Sequence, residues 1–435
     1  TAPSNDRPMQ EAMTSGSRRA PLLSRGFLIG TLVNFLLYVN YYVLMVVMTS
    51  YCTETYGSDL STAGFSASIF IIGALVARFL GGRFIDRIGR RRSLVASTAA
   101  EFALSACYLL GNAFLLLFAI RFLHGFFYGI AQTAVTSIVT DLVPEERKGE
   151  GVGYYMLSIT VGSAIGPFLG MALMQWTGFA SLFLVCTLVA LGSLVGALLV
   201  HEPRNARAAA AAQPASAAQA APVASAQAGT AQPAGAAQTA PAASAQAGTA
   251  AKPAAAAQPA ARASFLEHSV LPISSVAGVA YLAYGSLITY LGSFGQDSGL
   301  MWGASLFFVV YSIAMFASRP FTGRLFDRRG DLPIMASGMI AFMLGMLLLS
   351  QSQTDALVLV AACFVGYGIG AIEPSGLTLA IKRAPDARTT AANSTYFVFL
   401  DIAIGLCPFL LGWSIPVFGY RGLFLAMILV IVVSF

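Results

Sequence analysis

Four ionisable side chains lie well inside long apolar stretches of this 435-residue sequence, namely Glu101, Arg121, Glu373 and Asp401. A charge near the centre of a bilayer costs about 2.5 to 3.5 kcal/mol on insertion scales, so such a group normally faces a cavity or a partner. A carboxyl group in a partly dry cavity can bind a proton in one state of a protein and release it in another. We therefore predict that Glu373 and Asp401, together with Arg121, form a proton-coupling site.

Other interpretations of these residues stay open at this point. Arg121 could instead form a structural ion pair with Glu373 or Asp401. Glu101 lies nearer one end of its apolar stretch, where it is either functional or paired with an arginine of the adjacent loop. The sequence has no metal-ligand spacing, nucleophile motif or phosphate-binding loop, which predicts no metal site, no cofactor and no enzymatic activity.

The composition indicates a membrane protein. With 57% hydrophobic and only 10% charged residues, the chain has too little polar surface to cover a soluble globule of this length. An apolar run of about 20 residues can cross roughly 30 Å of hydrocarbon as a helix, which satisfies its own backbone hydrogen bonds. The sequence predicts an all-α protein with twelve such spans, near residues 27–49, 62–81, 93–110, 113–135, 152–174, 179–200, 270–291, 302–321, 333–350, 355–380, 391–412 and 420–435. Since the last run reaches Phe435 without a polar tail, we expect the true C-terminus to lie beyond it.

An internal repeat divides the chain. Residues 82–89 recur in similar form at residues 323–330, and the same offset of 241 pairs other positions without a gap. This pattern predicts two pseudo-symmetric six-helix bundles around a central binding site. The predicted parts are a disordered cytoplasmic tail, a first bundle, a low-complexity cytoplasmic linker and a second bundle, over residues 1–25, 26–205, 206–263 and 264–435. The linker, rich in Ala, Gln and Pro, is predicted to be a mobile tether, with a docking or regulatory role as the alternative.

Basic residues set the predicted orientation. Of the 25 Lys and Arg residues, 21 lie in the N-terminal tail, the central stretch and the loops after even-numbered spans, which places both termini in the cytoplasm. The net charge of +6 thus reflects topology and contact with lipid headgroups, and it does not indicate nucleic-acid binding. Of the other four, Arg78 and Arg319 are predicted to lie at cytoplasmic helix ends, Arg121 lies within a span, and Arg421 alone falls on the predicted outer side. We expect a monomer in a plasma membrane, of the bacterial inner-membrane type.

Three motifs carry a family resemblance. Residues 82–92, with a weaker copy at 323–330, resemble the signature loop of the major facilitator superfamily. Arg121 followed by Gly125 is similar to its second motif, and residues 162–170 resemble its third, although Met171 stands where the family has glycine. The resemblance implies the major facilitator fold and the drug or metabolite:proton antiporter branch, which exports a small organic molecule by alternating access. The alternatives are a proton symporter that imports a metabolite and a membrane sensor that transports nothing.

The signature loop also has a physical interpretation. Asp86 lies among several arginines at the membrane surface, where charge-assisted hydrogen bonds and a helix terminus can hold one conformation. The resemblance implies that this latch stabilises an outward-open state. Arg91 and Arg92 are interpreted as topology signals only. The predicted latch residues are Asp86, Arg87, Arg90, Asp327 and Arg328.

Glycine and proline spacing predicts how the spans pack and bend. Glycines four apart in spans four and ten indicate faces where a neighbouring helix approaches closely. In span four this face also carries Arg121 and Gln132, and Glu373 is the repeat equivalent of Gln132. Prolines inside helices remove a backbone donor and bend the helix, so we predict bends at Gly166, Pro167, Pro374 and Pro408.

Polar and aromatic residues of several spans are candidates for the substrate cavity. The predicted set comprises Asn34, Tyr38, Asn40, Gln132, Tyr281 and Tyr284. Tyr41, Tyr42 and Tyr290 either belong to the same path or anchor the protein at the membrane interface. The predicted partners are a small-molecule substrate, protons and membrane lipid.

Overall fold

The computed structural model describes residues 23–110, 113–144, 147–200, 267–329, 331–385 and 389–434, and long helices make up almost all of this part. The predicted linker lies outside the described residues, as does the predicted tail up to residue 22. The first four helices are α1 to α4, with bounds Arg25–Tyr56, Leu60–Ile88, Arg90–Cys107 and Phe114–Leu142.

The next helical stretch, Lys148–Leu199, holds two membrane spans. As one straight helix its 52 residues would be about 78 Å long, more than twice the hydrocarbon thickness. Gly178 breaks it with a φ of 77° and a ψ of 178°, so α5 covers residues 148–177 and α6 covers 179–199. Eleven stretches of the described chain are long and apolar enough to cross a membrane, and one of them, Tyr154–Leu199, contains this break. The prediction of twelve spans is confirmed.

The second half repeats the first. Helices α7 to α12 have the bounds Leu271–Ser298, Met301–Arg329, Asp331–Ser350, Asp355–Arg383, Thr389–Gly412 and Ile415–Ser434. Four helix starts of the first half recur at the same offset of 241, pairing Leu60 with Met301, Arg90 with Asp331, Phe114 with Asp355 and Lys148 with Thr389. The break recurs as well, because Gly419 has a φ of 67° and a ψ of 174°. The exact bounds of the two bundles stay a prediction.

Glycines let the same helix pairs approach closely in both halves. A Cβ at Gly125 of α4 would collide with the backbone oxygen of Phe70 on α2, and a Cβ at Gly366 of α10 would collide with that of Tyr311 on α8. These contacts are related by the repeat. Since only a residue without a side chain fits there, the structure contains the close-packing faces that the glycine spacing predicts.

One end of the molecule carries the arginine-rich loop at residues 87–92 and the basic pair at 382–383 and is called the basic end here. Contacts between the halves gather at the opposite end. Ser61 donates a hydrogen bond to the Phe409 carbonyl at 3.2 Å, and Gln175 donates to Ser305 at 3.0 Å. The Ser50 and Ser293 hydroxyls lie 3.3 Å apart. The structure is thus closed at the opposite end.

Two arginines cap helix C-termini. Arg421 donates to the carbonyls of Ser350 and Ser352 at 3.1 and 2.6 Å, at the end of α9. Arg91 donates to Leu198 and Val200, both at 2.8 Å, at the end of α6. A cation there satisfies free carbonyls and complements the helix dipole. This explains a basic residue at the opposite end, and it gives Arg91 a role beyond topology.

Candidate functional site

Five polar side chains lie at a similar depth in the molecule. Counted along their helices from the basic end, Arg78, Glu101, Tyr128, Glu373 and Asp401 are 10 to 14 residues in, which corresponds to about 15 to 21 Å. Helices of this length place such positions near the middle of a bilayer. These five residues are called the central layer below.

An ion pair joins the two halves within the central layer. Nη1 of Arg78 on α2 lies 2.5 Å from Oδ2 of Asp401 on α11, and the two side chains are 12% and 8% exposed. A cavity of about 20 Å³ beside the pair is lined in part by Tyr41, Phe70 and Tyr128. Sequence reasoning selected Asp401 and assigned Arg78 to a helix end. The signal it missed is that Arg78 is itself a charge inside an apolar span.

Glu373 lies in the second half, surrounded by tyrosines. Its side chain is 1% exposed, and the Tyr281 hydroxyl of α7 donates a hydrogen bond to its Oε2. The Tyr396 hydroxyl of α11 donates to the Glu373 backbone oxygen at 3.1 Å. The Tyr281 ring contacts Tyr284, with centroids 5.5 Å apart. The structure therefore brings together a predicted coupling residue and two predicted cavity residues.

A cluster of aromatic rings in the first half lies at the depth of the central layer. Tyr128 stacks on Tyr41 with centroids 5.4 Å apart, and it meets the Tyr38 ring edge-on at 6.1 Å. Tyr42 is buried beside them, 4.8 Å from the Tyr41 ring. Tyr290 is fully buried in the second half and donates to the Pro408 carbonyl. Tyr42 and Tyr290 thus lie inside the protein and not at a membrane interface.

The three amides of the predicted cavity all make contacts within the first half. Asn34 donates to Ser158 at 2.9 Å, linking α1 to α5. Asn40 donates to Ser105 at 3.4 Å, linking α1 to α3. Gln132 accepts from Thr136 one turn along α4 at 3.5 Å. Contact of these amides with a substrate stays a prediction.

Arg121 lies away from the central layer. It is 21 residues from the basic end of α4, or about 31 Å along the helix. Its Nε donates to the Ser66 carbonyl at 2.9 Å, and its guanidinium carbon lies 4.7 Å from the centre of the Phe70 ring. Next to it, the His124 ring nitrogen Nδ1 lies 3.1 Å from the Tyr108 hydroxyl. The ion pair of Asp401 is made with Arg78 instead, and a part for Arg121 in coupling stays a prediction.

The predicted latch lies at the basic end. Arg90 of α3 forms an ion pair with Asp141 in the last turn of α4, within the first half. Arg87 is exposed. The side chains of Asp86, Asp327 and Arg328 lie outside the described residues.

The predicted bends fall inside helices. Pro167 lies inside α5, Pro374 inside α10 and Pro408 inside α11. A Cβ at Gly166 would lie 2.6 Å from the Tyr42 Cβ, so Gly166 lets α1 and α5 approach closely. The part of these residues in a rocking motion stays a prediction. In the described part of the chain, no group of three or more Cys, His, Asp or Glu residues could hold a metal ion.

Known proteins share the sequence and the fold. The family model described as Major Facilitator Superfamily matches residues 30–389 and 273–435. A "Multi-drug resistance efflux pump PmrA homolog" of Lactococcus lactis is 31% identical over 32% of this chain and 35% of its own length. The "Quinolone resistance protein NorA" of Staphylococcus aureus is 23% identical over 39% of this chain and 44% of its own length. The chain thus matches less than half the length of these relatives.

Solved structures match over nearly the whole chain. A POT family transporter in complex with 5-aminolevulinic acid superposes with a TM-score of 0.70 at 15% identity and covers 94% of both chains. A bacterial homolog to the human lysosomal transporter Spinster, in an inward-facing and unoccupied conformation, gives 0.69 at 12% identity over 95% of both. At these identities the likeness shows the fold alone.

Proposed function

Because this chain belongs to the Major Facilitator Superfamily, we propose that it is a proton-coupled secondary transporter that exports a small organic molecule by alternating access. The family is one of transporters, and the prediction that the chain is not an enzyme is confirmed. The observation that carries the proposal is the ion pair between Arg78 and Asp401, which links a titratable carboxylate to the contact between the two halves.

The pair supplies a way to couple a proton to movement. Ionised Asp401 attracts Arg78 strongly, because both side chains are largely removed from water. A proton on Asp401 abolishes its charge and so weakens the contact between α2 and α11 at this depth. The equilibrium between two arrangements of the halves then depends on that proton, which is the differential interaction that coupling requires.

Export is proposed from the relatives and from the third motif. The names of two relatives describe an efflux pump and a resistance protein, and residues 162–170 resemble the motif of proton-driven exporters. A structure closed at the opposite end suits a substrate that enters from the basic end, which we predict to be cytoplasmic. The proposal includes a plasma membrane of the bacterial inner-membrane type, with both termini in the cytoplasm.

The central layer favours an organic cation as substrate. It holds three carboxyl groups and one guanidinium, and tyrosine rings surround it in both halves. Carboxylates attract a cation, and aromatic faces stabilise it further. Competition between such a cation and protons for Glu373 and Asp401 would give exchange. The first alternative function, which the same contacts would allow, is a proton symporter that imports a metabolite. The second alternative is a membrane sensor that transports nothing.

Transport in proteoliposomes tests the proposal, with ethidium as the probe cation. An imposed proton gradient is expected to drive ethidium against the direction of proton flow. Asp401→Asn and Glu373→Gln are expected to lose this response, whereas the exposed control Asp297→Asn retains it. Ethidium movement in the same direction as the protons would support symport. No movement with ethidium or with a panel of other organic cations, despite binding, would support a sensor.

A further inference from the structure

A third buried carboxyl group of the central layer lies in the first half, apart from Glu373 and Asp401. Glu101 of α3 is 1% exposed. Its Oε1 has no hydrogen-bond partner among the residues that the structure describes, and it forms no ion pair with any of them. The alternative that a loop arginine pairs with Glu101 is therefore not seen among the residues that the structure describes. A carboxylate without a counter-charge at this depth is expected to carry a proton.

Other unsatisfied polar atoms lie around Glu101. Ser97 and Ser105 are one turn before and one turn after it on the same face of α3. Ser105 accepts the amide of Asn40 from α1, and the Asn40 Oδ1 and Ser97 Oγ are both buried without a partner in the described structure. The Glu101 carboxyl thus lies in a region with several buried polar atoms that have no hydrogen-bond partner in the described structure. Such a region is typical of a site that binds a proton or a water molecule.

Tyr128 of α4 connects this group to the pair between the halves. Its helix packs against α3, where Tyr128 and Glu101 lie at similar depths, and its side chain lines the cavity beside Arg78 and Asp401. The Tyr128 side chain is buried, and the buried ring of Tyr38 lies 6.1 Å from its own ring. A tyrosine hydroxyl can accept a proton on one side while it donates one on the other.

The repeat shows that packing does not require these polar groups. The equivalents of Glu101, Ser97, Ser105 and Tyr128 in the second half are Phe342, Gly338, Met346 and Ile369, none of which can ionise. Phe342, Met346 and Ile369 are fully buried there. The same helix arrangement therefore forms without a carboxyl group at this position, and Glu101 needs a reason other than the fold.

We propose that Glu101 is a third proton-binding carboxyl of this protein, and that its proton reaches the cavity between the halves through the Tyr128 hydroxyl. In each transfer the Glu101 O–H bond breaks as a new O–H bond forms on Tyr128, whose own O–H bond breaks as its proton passes to the Asp401 carboxylate in the cavity. A role of Glu101 in transport rests on the proton coupling proposed above. The protonation of Glu101 does not depend on that proposal.

Among the groups that face Glu101 the one arginine, Arg121, lies nearer the opposite end of the molecule, and the groups at a similar depth are uncharged. From α1 the facing groups are Asn40 and Tyr38, and from α4 they are Tyr128 and, further toward the opposite end, His124 and Arg121. His124 is bonded to Tyr108 and Arg121 to Ser66. From α5, Tyr155 is bonded to Thr136.

Infrared difference spectra of the purified full-length protein test this inference without any substrate. Between acidic and alkaline buffer, the wild type is expected to show a band of protonated carboxyl groups, one component of which is missing in Glu101→Gln. Glu101→Asp is expected to retain a shifted component, and Asp297→Asn to leave the band unchanged. Tyr128→Phe is expected to keep the component and to slow its shift in heavy water several-fold.

The outcomes separate this inference from the proposed function. A Glu101→Gln spectrum identical to that of the wild type, from protein with an unchanged melting temperature, overturns the inference even if proton-driven ethidium transport is found. Unchanged exchange in Tyr128→Phe overturns the path. If the component is lost in Glu101→Gln while no proton-driven transport occurs, the proton site at Glu101 stands and the proposed function fails.

Discussion

Arg78 and Asp401 belong to helices of different halves, and their charged groups meet at 2.5 Å in the middle of the molecule. Arg78 corresponds to Arg319 in the repeat, whereas the equivalent of Asp401 cannot ionise, so these two equivalent positions cannot form a second bridge. Asp401 corresponds to Thr160, which is buried and bonds to the Met156 carbonyl of its own helix. The ion pair between Arg78 and Asp401 therefore breaks the symmetry of the two halves. Protonation of Asp401 weakens this one contact between them.

Removing one partner of this pair should cost more than removing both. Arg78→Gln leaves an uncompensated buried carboxylate, for which a cost of about 3 to 5 kcal/mol is typical. The double variant Arg78→Gln with Asp401→Asn is expected to regain a large part of that loss. Thermal unfolding in detergent at alkaline pH measures both. Equal or additive losses would contradict an energetic link between the two side chains.

The Tyr281 hydroxyl should matter only through Glu373. Tyr281→Phe removes the donor to the carboxylate while it keeps the ring contact with Tyr284. Proton-driven ethidium transport is expected to fall about tenfold, equivalent to about 1.4 kcal/mol for a hydrogen bond to a charged group. In a Glu373→Gln background the same change should have little further effect. A similar loss in both backgrounds would show that the hydroxyl acts elsewhere.

The close-packing glycines should not tolerate a methyl group. Gly125→Ala and Gly366→Ala place a Cβ against a backbone oxygen of the neighbouring helix, and overpacking of this kind costs about 1 to 3 kcal/mol. Gly192→Ala is the matched control, because its Cβ would meet only the end of the Leu36 side chain, at 3.3 Å. Melting temperatures of the three variants check this, and a control as unstable as the other two would contradict it.

The two helix breaks should respond alike. Gly178 and Gly419 have φ values of 77° and 67° and ψ values of 178° and 174°, a region that is almost restricted to glycine and costs a residue with a side chain roughly 1 to 3 kcal/mol. Open space surrounds the Cβ position at both, so the loss in Gly178→Ala and Gly419→Ala comes from the backbone alone. Unfolding measurements should give similar losses for the two variants. A loss at one position only would argue against equivalent breaks.

The spans and the repeat could be predicted from the sequence, because each depends on a local pattern of apolar residues and on direct comparison of segments. The contact between Arg78 and Asp401 could not, since it depends on how two helices of different halves meet. The position of each residue along its predicted helix does indicate which charged groups can meet. Glu373 and Asp401 are 10 to 12 residues from the basic helix ends, and Arg121 is 21 residues from it, which argues against an ion pair with either acid.

The part played by Gly178 was not predicted, although its neighbourhood recurs around Gly419 in the sequence. A single glycine in an apolar stretch is common in membrane helices and does not by itself show a positive φ. In contrast, Tyr281 and Glu373 were both selected from residue type and position, and the structure places them in hydrogen-bond contact. Pairing within one half was thus easier to foresee than pairing between halves.

The distance between the two halves at the basic end, measured as a function of pH, tests the central claim most directly. Spin labels at Arg87→Cys and Arg383→Cys, both exposed positions, report this distance in a background without the native cysteines. The account predicts that the wild type changes its distance distribution between alkaline and acidic pH, and that Asp401→Asn shows the acidic distribution at every pH. A pH response in Asp401→Asn equal to that of the wild type would contradict it.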